Sequence, residues 1–538
     1  MDPVLADKRL PNGDKVCPLA RLVRIVLWGA ACHWAILPVT AAEIYDSDGI
    51  EIRWDNTLQY SASVRLKTPS ASLLAATNAD DGDRNFAPGL VSNRIDLNSQ
   101  LDLNYGDSGL HASADGWYDT VYHARTDNKS AASYNPLGTP VSAFAPAVRN
   151  LHGQYVELND LFVFTNFNFA EMPVSIRAGR QTVTWGESLF YDSGSIAAAQ
   201  APVDIIKTYS NRSDYAANMF LPVTQISLTA QPSSAVSLSV YYQLEWRSTR
   251  QPGDGSYFSV NDYTGAGSNR YFLPSDRYLL RDKDVTPSGG GQYGAALHAT
   301  LGGVTAGFYA LHFDSTTPVV VVPTAPSTAT GLAGTYKLVY PSGIDLYGIS
   351  FANSAEAVNF AGEISFRRLA PLASYSTVYI NRAAPAPVGD DNDYARGNML
   401  DARLSATTTL SPMLLWDSAD LSSELVLDDV VNVTSYARAV RPTMDRLVAH
   451  ARALFVPHYY QVLPNLDLSF PIGIGRDVLG HTGAYAAYDG SNDFDIGVNA
   501  IYRSVWKADI TYTAFLGGTD YQALADRDFL MARIGYSF

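Results

Sequence analysis

The chain closes on Asp526-Arg527-Asp528-Phe529-Leu530-Met531-Ala532-Arg533-Ile534-Gly535-Tyr536-Ser537-Phe538, and the reading of this stretch decides the fold. Counted back in twos, Phe538, Tyr536, Ile534, Ala532 and Leu530 share one face. Ser537, Gly535, Arg533 and Met531 share the other. A period of two is the side-chain period of a β-strand. An aromatic strand left unpaired at the end of a soluble protein invites edge-to-edge aggregation. A closed barrel removes that edge by pairing the last strand with the first. An ordinary buried strand fits the same residues, so the rest of the chain must choose between the two.

Further strands with the same alternation lie along the whole chain. From Ile52 to Leu66, Ile52, Trp54, Leu58, Tyr60 and Val64 alternate with Arg53, Asp55, Gln59, Ser61 and Arg65. From Asn93 to Tyr105, Ile95, Leu97, Leu101 and Leu103 alternate with Arg94, Asp96, Asn98 and Asp102. The stretches Val236 to Arg247, Asn398 to Leu410 and Val505 to Leu516 repeat the pattern. A polar inner face and an apolar outer face, repeated in this way, are the mark of a membrane barrel. Short turns alternate with long loops: the turns fall near Gly106, Ala170, Ser234, Gly302, Ala355, Ser411–Ser418, Pro464 and Ser504. That layout predicts an all-β, antiparallel, up-and-down transmembrane barrel with short periplasmic turns and long extracellular loops. The count is about eighteen strands, held at 16–18 because Tyr155 to Phe169 is nearly continuous in apolar residues. The terminal aromatic, Phe538, also resembles the signal read by the barrel-assembly machinery, which makes that machinery and outer-membrane lipid the expected partners.

Composition agrees with this reading. Aromatics make up 12% of the chain, with 33 tyrosines and 8 tryptophans, as girdles at two membrane interfaces require. The formal charge of −15 argues against a nucleic-acid partner, which would need a basic stripe. Residues 1–41 read as a signal peptide: Arg21 and Arg24 precede the apolar run Ile25 to Leu37, and Val39-Thr40-Ala41 resembles a cleavage site. The expected domains are therefore 1–41, removed, and 42–538, the barrel. Both cysteines, Cys17 and Cys32, fall in the removed part, which suits passage through an oxidising compartment. No other stretch is long and apolar enough for a spanning helix.

Several motifs resemble a known family. They are Gly179-Arg180-Gln181-Thr182-Val183-Thr184-Trp185-Gly186-Glu187-Ser188, Asp80-Asp81-Gly82-Asp83-Arg84-Asn85-Phe86, Tyr242-Gln243-Leu244-Glu245-Trp246-Arg247 and Tyr257-Phe258-Ser259-Val260-Asn261-Asp262-Tyr263. Together they resemble the Gram-negative outer-membrane family catalogued as domain of unknown function 1302, over roughly residues 45–538. The resemblance implies an outer-membrane barrel without an established activity. It also implies an accessory place beside transport systems for hydrophobic compounds such as aromatics or steroids.

The chemistry-bearing strings mostly reduce to turns and loops. Gly106-Asp107-Ser108-Gly109 copies a serine-nucleophile string but sits between two strong strands, where it is good turn chemistry. Gly289-x-Gly291-x-x-Gly294 leads into a strand, whereas a dinucleotide site needs a helix there. The eight histidines after residue 41 are scattered, and no spacing pairs a general base with an orienting group. No enzyme activity, cofactor or metal is therefore expected. Asp80-Asp81-Gly82-Asp83 offers the clustered oxygens that Ca²⁺ prefers, but its spacing is not that of an EF-hand, and it reads as a solvated turn. Candidate lumen or constriction residues are Arg94, Asp96, Arg180, Gln181, Glu187, Glu245, Arg247, Glu363, Arg403 and Arg533, inward-facing or loop-edge groups of both signs. The loops 186–222 and 315–342 carry apolar runs and are expected to fold inward. The expected function is a porin-like channel in the outer membrane for a small hydrophobic or amphipathic compound. The alternatives are an accessory scaffold or lipid-handling partner of a transport complex and, third, a barrel hydrolase.

Overall fold

The structure, a computed structural model, describes residues 42–47, 49–191, 193–323, 327–355, 357–374, 394–485 and 492–538. The expected signal peptide, 1–41, lies outside them. Eighteen antiparallel strands form one closed barrel, as the alternation predicts. In chain order the first nine are β1 (Ile50–Arg65), β2 (Gly89–Tyr105), β3 (Ser108–Asp119), β4 (Gln154–Phe169), β5 (Met172–Gln181), β6 (Val223–Ser233), β7 (Val236–Gln243), β8 (Tyr293–Leu301) and β9 (Val304–Phe313). The second half is β10 (Ile344–Ala355), β11 (Val358–Pro371), β12 (Arg396–Leu410), β13 (Ser418–Ser435), β14 (Leu447–Leu463), β15 (Leu466–Ser469, continued by Ile472–Leu479), β16 (Asp493–Tyr502), β17 (Trp506–Phe515) and β18 (Phe529–Ser537). Each strand pairs with its neighbours in sequence, so no connection has to cross the sheet.

Closure comes from the C-terminal stretch. In β18, Ser537 pairs with Thr57, Ala532 with Ala62 and Phe529 with Arg65. Phe538 extends the seam: its N–H donates to the Asn56 carbonyl at 2.8 Å, and the Asn56 N–H donates to its carbonyl at 2.8 Å. Beside this seam, a short N-terminal strand, Ala42–Ser47, folds back on the start of β1.

Register sorts the two faces. On β1 and β2 the apolar set points out, with Trp54, Leu58, Ile95 and Leu97 each more than two-fifths exposed. The polar set points in and pairs across strands, Ser61 opposite Arg94 and Asp509 opposite Arg533. A soluble surface rarely carries apolar patches beyond a few hundred Å², whereas here the band continues around the sheet. At the loop end the interior is packed: Phe86, Tyr122, Phe144, Tyr257, Phe515 and Phe529 form one buried cluster drawn from several loops and from the ends of β17 and β18.

The loops that matter below are L1 (66–88), L2 (120–153), L3 (182–222), L4 (244–292) and L5 (314–343). L3 folds inward, as expected. L5 does something the sequence reading missed: Val319–Val321 and Gly331–Val339 join Arg270–Leu273 and Arg277–Arg281 of L4 in a small four-stranded sheet. The run of valines at 319–322 is thus largely strand, with Val321 and Val322 buried in that sheet's own core.

Candidate channel constriction

L3 leaves β5 at Gln181 and crosses the interior to the opposite wall. Its backbone N–H groups are met by carboxylates aimed inward from the far strands. Glu363 on β11 accepts from Glu187 at 2.7 Å and from Ile196 at 3.0 Å. Glu424 on β13 accepts from Leu189, Phe190 and Tyr191 at 2.8–2.9 Å. The L3 carbonyls are met by guanidinium groups. Arg403 donates to Tyr191 and Ser193, and Arg367 to Ser195 at 2.6 Å. Buried backbone groups must be paired, and here the barrel wall supplies what a helix or sheet would normally supply.

Glycines permit the close approach. A Cβ on Gly186 would lie 2.3 Å from the Glu363 carboxylate. One on Gly194 would lie 2.8 Å from Arg403 Nη2. Both residues have positive φ, +97° and +77°, which glycine adopts without the penalty other residues bear. Under the loop, Ile196 is fully buried against Tyr241, Tyr309, Leu311 and Leu346, with Trp185 on the rim.

L3 then forms the six-residue helix Ile205–Ser210, capped by Asp204, whose carboxylate accepts from the Ile206 and Lys207 N–H groups. The other Asp204 oxygen binds Arg250 at 2.7 Å, and Arg250 and Arg247 both bind Glu157 on β4. Beyond the helix, Arg212 binds Asp493 on β16 at 3.0 Å, and Ser213 donates to Asp495. Arg452 on β14 completes that group, 2.7 Å from each of the two aspartates. The loop is thus anchored on both sides of the lumen.

Two chambers lie against opposite faces of this helix. Ile206, Lys207 and Ser210 face a chamber of about 470 Å³, shared with Gln59, Arg94, Asp96, Asp115 and Arg533 of the wall. Ile205 and Tyr209 face one of about 300 Å³ among the loop tips. The first is rich in charge of both signs. The second is bounded by apolar groups such as Val260, Val319 and Leu372 and by uncharged polar ones such as Gln251, Asn261 and Thr264, and Arg441 is the one charged residue in its described lining.

The sequence candidates divide into separate groups. Arg94, Asp96 and Arg533 share the larger chamber, with Arg94 paired to Asp96 and Arg533 to Asp509 at 2.9 Å. Glu187, Glu363 and Arg403 meet under L3, with Arg403 Nε 3.4 Å from Glu363. Arg180 stands 3.8 Å from Glu245, whose other oxygen accepts from the Thr224 N–H and hydroxyl. Gln181 is buried and exchanges amide hydrogen bonds with Gln225 on β6. Arg247 belongs to the Glu157 group. β7 ends at Gln243, so Glu245 and Arg247 stand in L4 rather than on the strand that their alternation suggested. Glu424 and Arg452 were not singled out from sequence. The available signal was their place among the inward residues of β13 and β14, but the L3 groups that Glu424 holds are more than two hundred residues away, and Arg452 reaches L3 chiefly through the aspartates it shares with Arg212 and Ser213.

Asp80-Asp81-Gly82-Asp83 is not a solvated turn. All three aspartates are buried. Asp83 lies between Arg65 and Arg527, 2.9 and 3.0 Å away, both arginines being fully buried. These ties fasten L1 to β1 and to the last loop.

A closed antiparallel sheet, apolar outside and polar inside, defines a transmembrane β-barrel of the bacterial outer membrane. The chain belongs to the family described as "Protein of unknown function (DUF1302)", which it matches over residues 22–538. No curated protein matches it. Among solved structures, Acinetobacter baumannii OccAB4 is similar over 90% of this chain and 98% of its own, with 9% identity and a TM-score of 0.40. The outer-membrane channel DcaP of the same organism covers 92% and 100% at 10% identity and 0.38. Pseudomonas aeruginosa OccD3 (OpdP) covers 93% and 93% at 11% identity and 0.39.

Proposed function

We propose that the barrel is a porin-like channel that lets a small amphipathic compound cross the outer membrane past L3. One observation carries this reading: a chamber at the loop tips with a single charged residue in its described lining and a chamber within the barrel rich in charge of both signs lie on the two faces of one pinned helix. An eighteen-stranded barrel is wide enough to leave a lumen unless loops fill it. A compound with an apolar body fits the outer chamber, and an anionic end fits Arg441, whose guanidinium has no ion-pair partner among the described residues. The mixed charges of the inner chamber would then pass the polar end onward.

Uptake of phenylacetate into proteoliposomes tests this. It should exceed uptake into protein-free vesicles several-fold, and Arg441→Glu should lower it several-fold while uptake of a neutral sugar is unchanged. Uptake equal to that of protein-free vesicles contradicts the channel. The many anchors on L3 would then favour the second reading, a sealed barrel serving as scaffold for a transport complex, which stable stoichiometric partners in a pull-down would support.

A further inference from the structure

We propose that Asp80 and Asp81 of L1, with Asp262 of L4, bind a hard divalent cation, Ca²⁺, outside the membrane-spanning strands. One carboxylate oxygen from each of the three lies within 4.8 Å of the other two, and all three side chains are fully buried. Acidic clusters alone are common, so the unpaired oxygens decide the matter. Asp80 Oδ2 is held by Arg84, but Asp80 Oδ1 has no hydrogen-bond partner among the described residues. Asp262 Oδ2 accepts from the Asp81 N–H at 3.0 Å, but Asp262 Oδ1 has no partner among the same residues. A third unpaired oxygen comes from outside the acidic group. Asn135 of L2 is fully buried, and its N–H donates to Asp81 Oδ2 at 2.9 Å. Its Nδ2 donates to Asn78 and to the Arg270 carbonyl, which leaves Asn135 Oδ1 buried and unpaired among the described residues, on a residue tied to the cluster through Asp81.

Charge points the same way. Among the described residues, Arg84 is the one guanidinium ion-paired to the three buried carboxylates, while Arg65 and Arg527 pair with Asp83 and Asp526. Ser133, next to Asp80, is turned to Ser130, to which it donates at 2.9 Å. Unpaired oxygens of carboxylates and an amide are the donor set of Ca²⁺, which takes six to eight oxygens in flexible geometry, whereas Mg²⁺ demands a near-ideal octahedron. A bound ion would join L1 to L4, with L2 packed behind, and hold the roof over the larger chamber. This holds whether or not the lumen conducts.

Calorimetry on the full chain in detergent, stripped with chelator and titrated with CaCl₂, tests the site. One ion per chain should bind, with a dissociation constant no weaker than the ~10⁻⁴–10⁻³ M of extracellular calcium modules. Asp80→Asn and Asp262→Asn should each weaken binding at least tenfold, while their unchanged heat-modifiable gel mobility shows that the barrel is folded. Chelation should speed proteolysis within L4 of the wild-type chain and not of Asp262→Asn. Absence of Ca²⁺ binding, equal binding in both variants, or tighter binding of Mg²⁺ than of Ca²⁺ overturns the proposal. A shared proton would then explain the cluster.

Discussion

Glu187 sits beside a second carboxylate, with its own N–H donating to Glu363 at 2.7 Å. Burial, and then the charge of Glu363, raise the Glu187 carboxyl to about 7. A raised carboxyl keeps its proton in the folded loop after it has lost it in the released loop. Its contribution to L3 packing is therefore complete below the ordinary value of 4.5 and is lost as pH rises toward about 7. Current noise from L3 should grow between pH 5 and pH 8, with a midpoint near 7, and Glu187→Gln should remove that dependence. The same pH profile in Glu187→Gln would contradict the assignment. At this scale the sequence showed which side chains face inward, because alternation fixes the face. It did not show who meets whom. Arg403 opposite Glu363 follows from neighbouring strands, but the bonds of Glu424 to residues 189–191 cross the barrel and leave no local trace. Asp80 to Asp83 read as a solvated turn because nothing in the local string shows the loops that cover it.

L3 is the element on which the proposed channel function turns. Removing one carboxylate that accepts three buried N–H groups leaves each of them unpaired, at roughly 1–3 kcal/mol per group. Glu424 is such a carboxylate, and the ladder of β13 does not depend on its side chain. Glu424→Ala should therefore release L3 and leave the barrel intact. Limited proteolysis should cut within 182–222 at least tenfold faster, with heat-modifiable mobility unchanged. Equal cleavage rates would mean that the loop is held elsewhere. That L3 turns inward was legible in its length and its apolar content. That L4 and L5 build a small sheet was not, because three of its four strands have only three to five residues and alternate too briefly within long loops to be told from coil.

At the scale of the whole molecule, the seam between β1 and β18 is the step that turns a sheet with two edges into a barrel with none. Phe538 contributes two backbone hydrogen bonds to it, and its ring stacks on Tyr536 with centroids 5.8 Å apart. Deleting Phe538 should lower the heat-modifiable, membrane-assembled fraction several-fold in cells. An unchanged fraction would remove the terminal residue from the assembly signal. Strand number, turn positions and facing were all legible in the sequence, because a membrane barrel repeats one local rule and joins only neighbours. The arrangement inside the barrel was less so, since it depends on contacts between distant loops.

Planar-bilayer recording of the purified chain tests the central claim most directly. A polar lumen narrowed by L3 should give discrete, reproducible single-channel steps, and deleting the central part of L3 should raise the step size several-fold. A folded barrel that inserts yet gives no steps, with or without L3, would contradict the account.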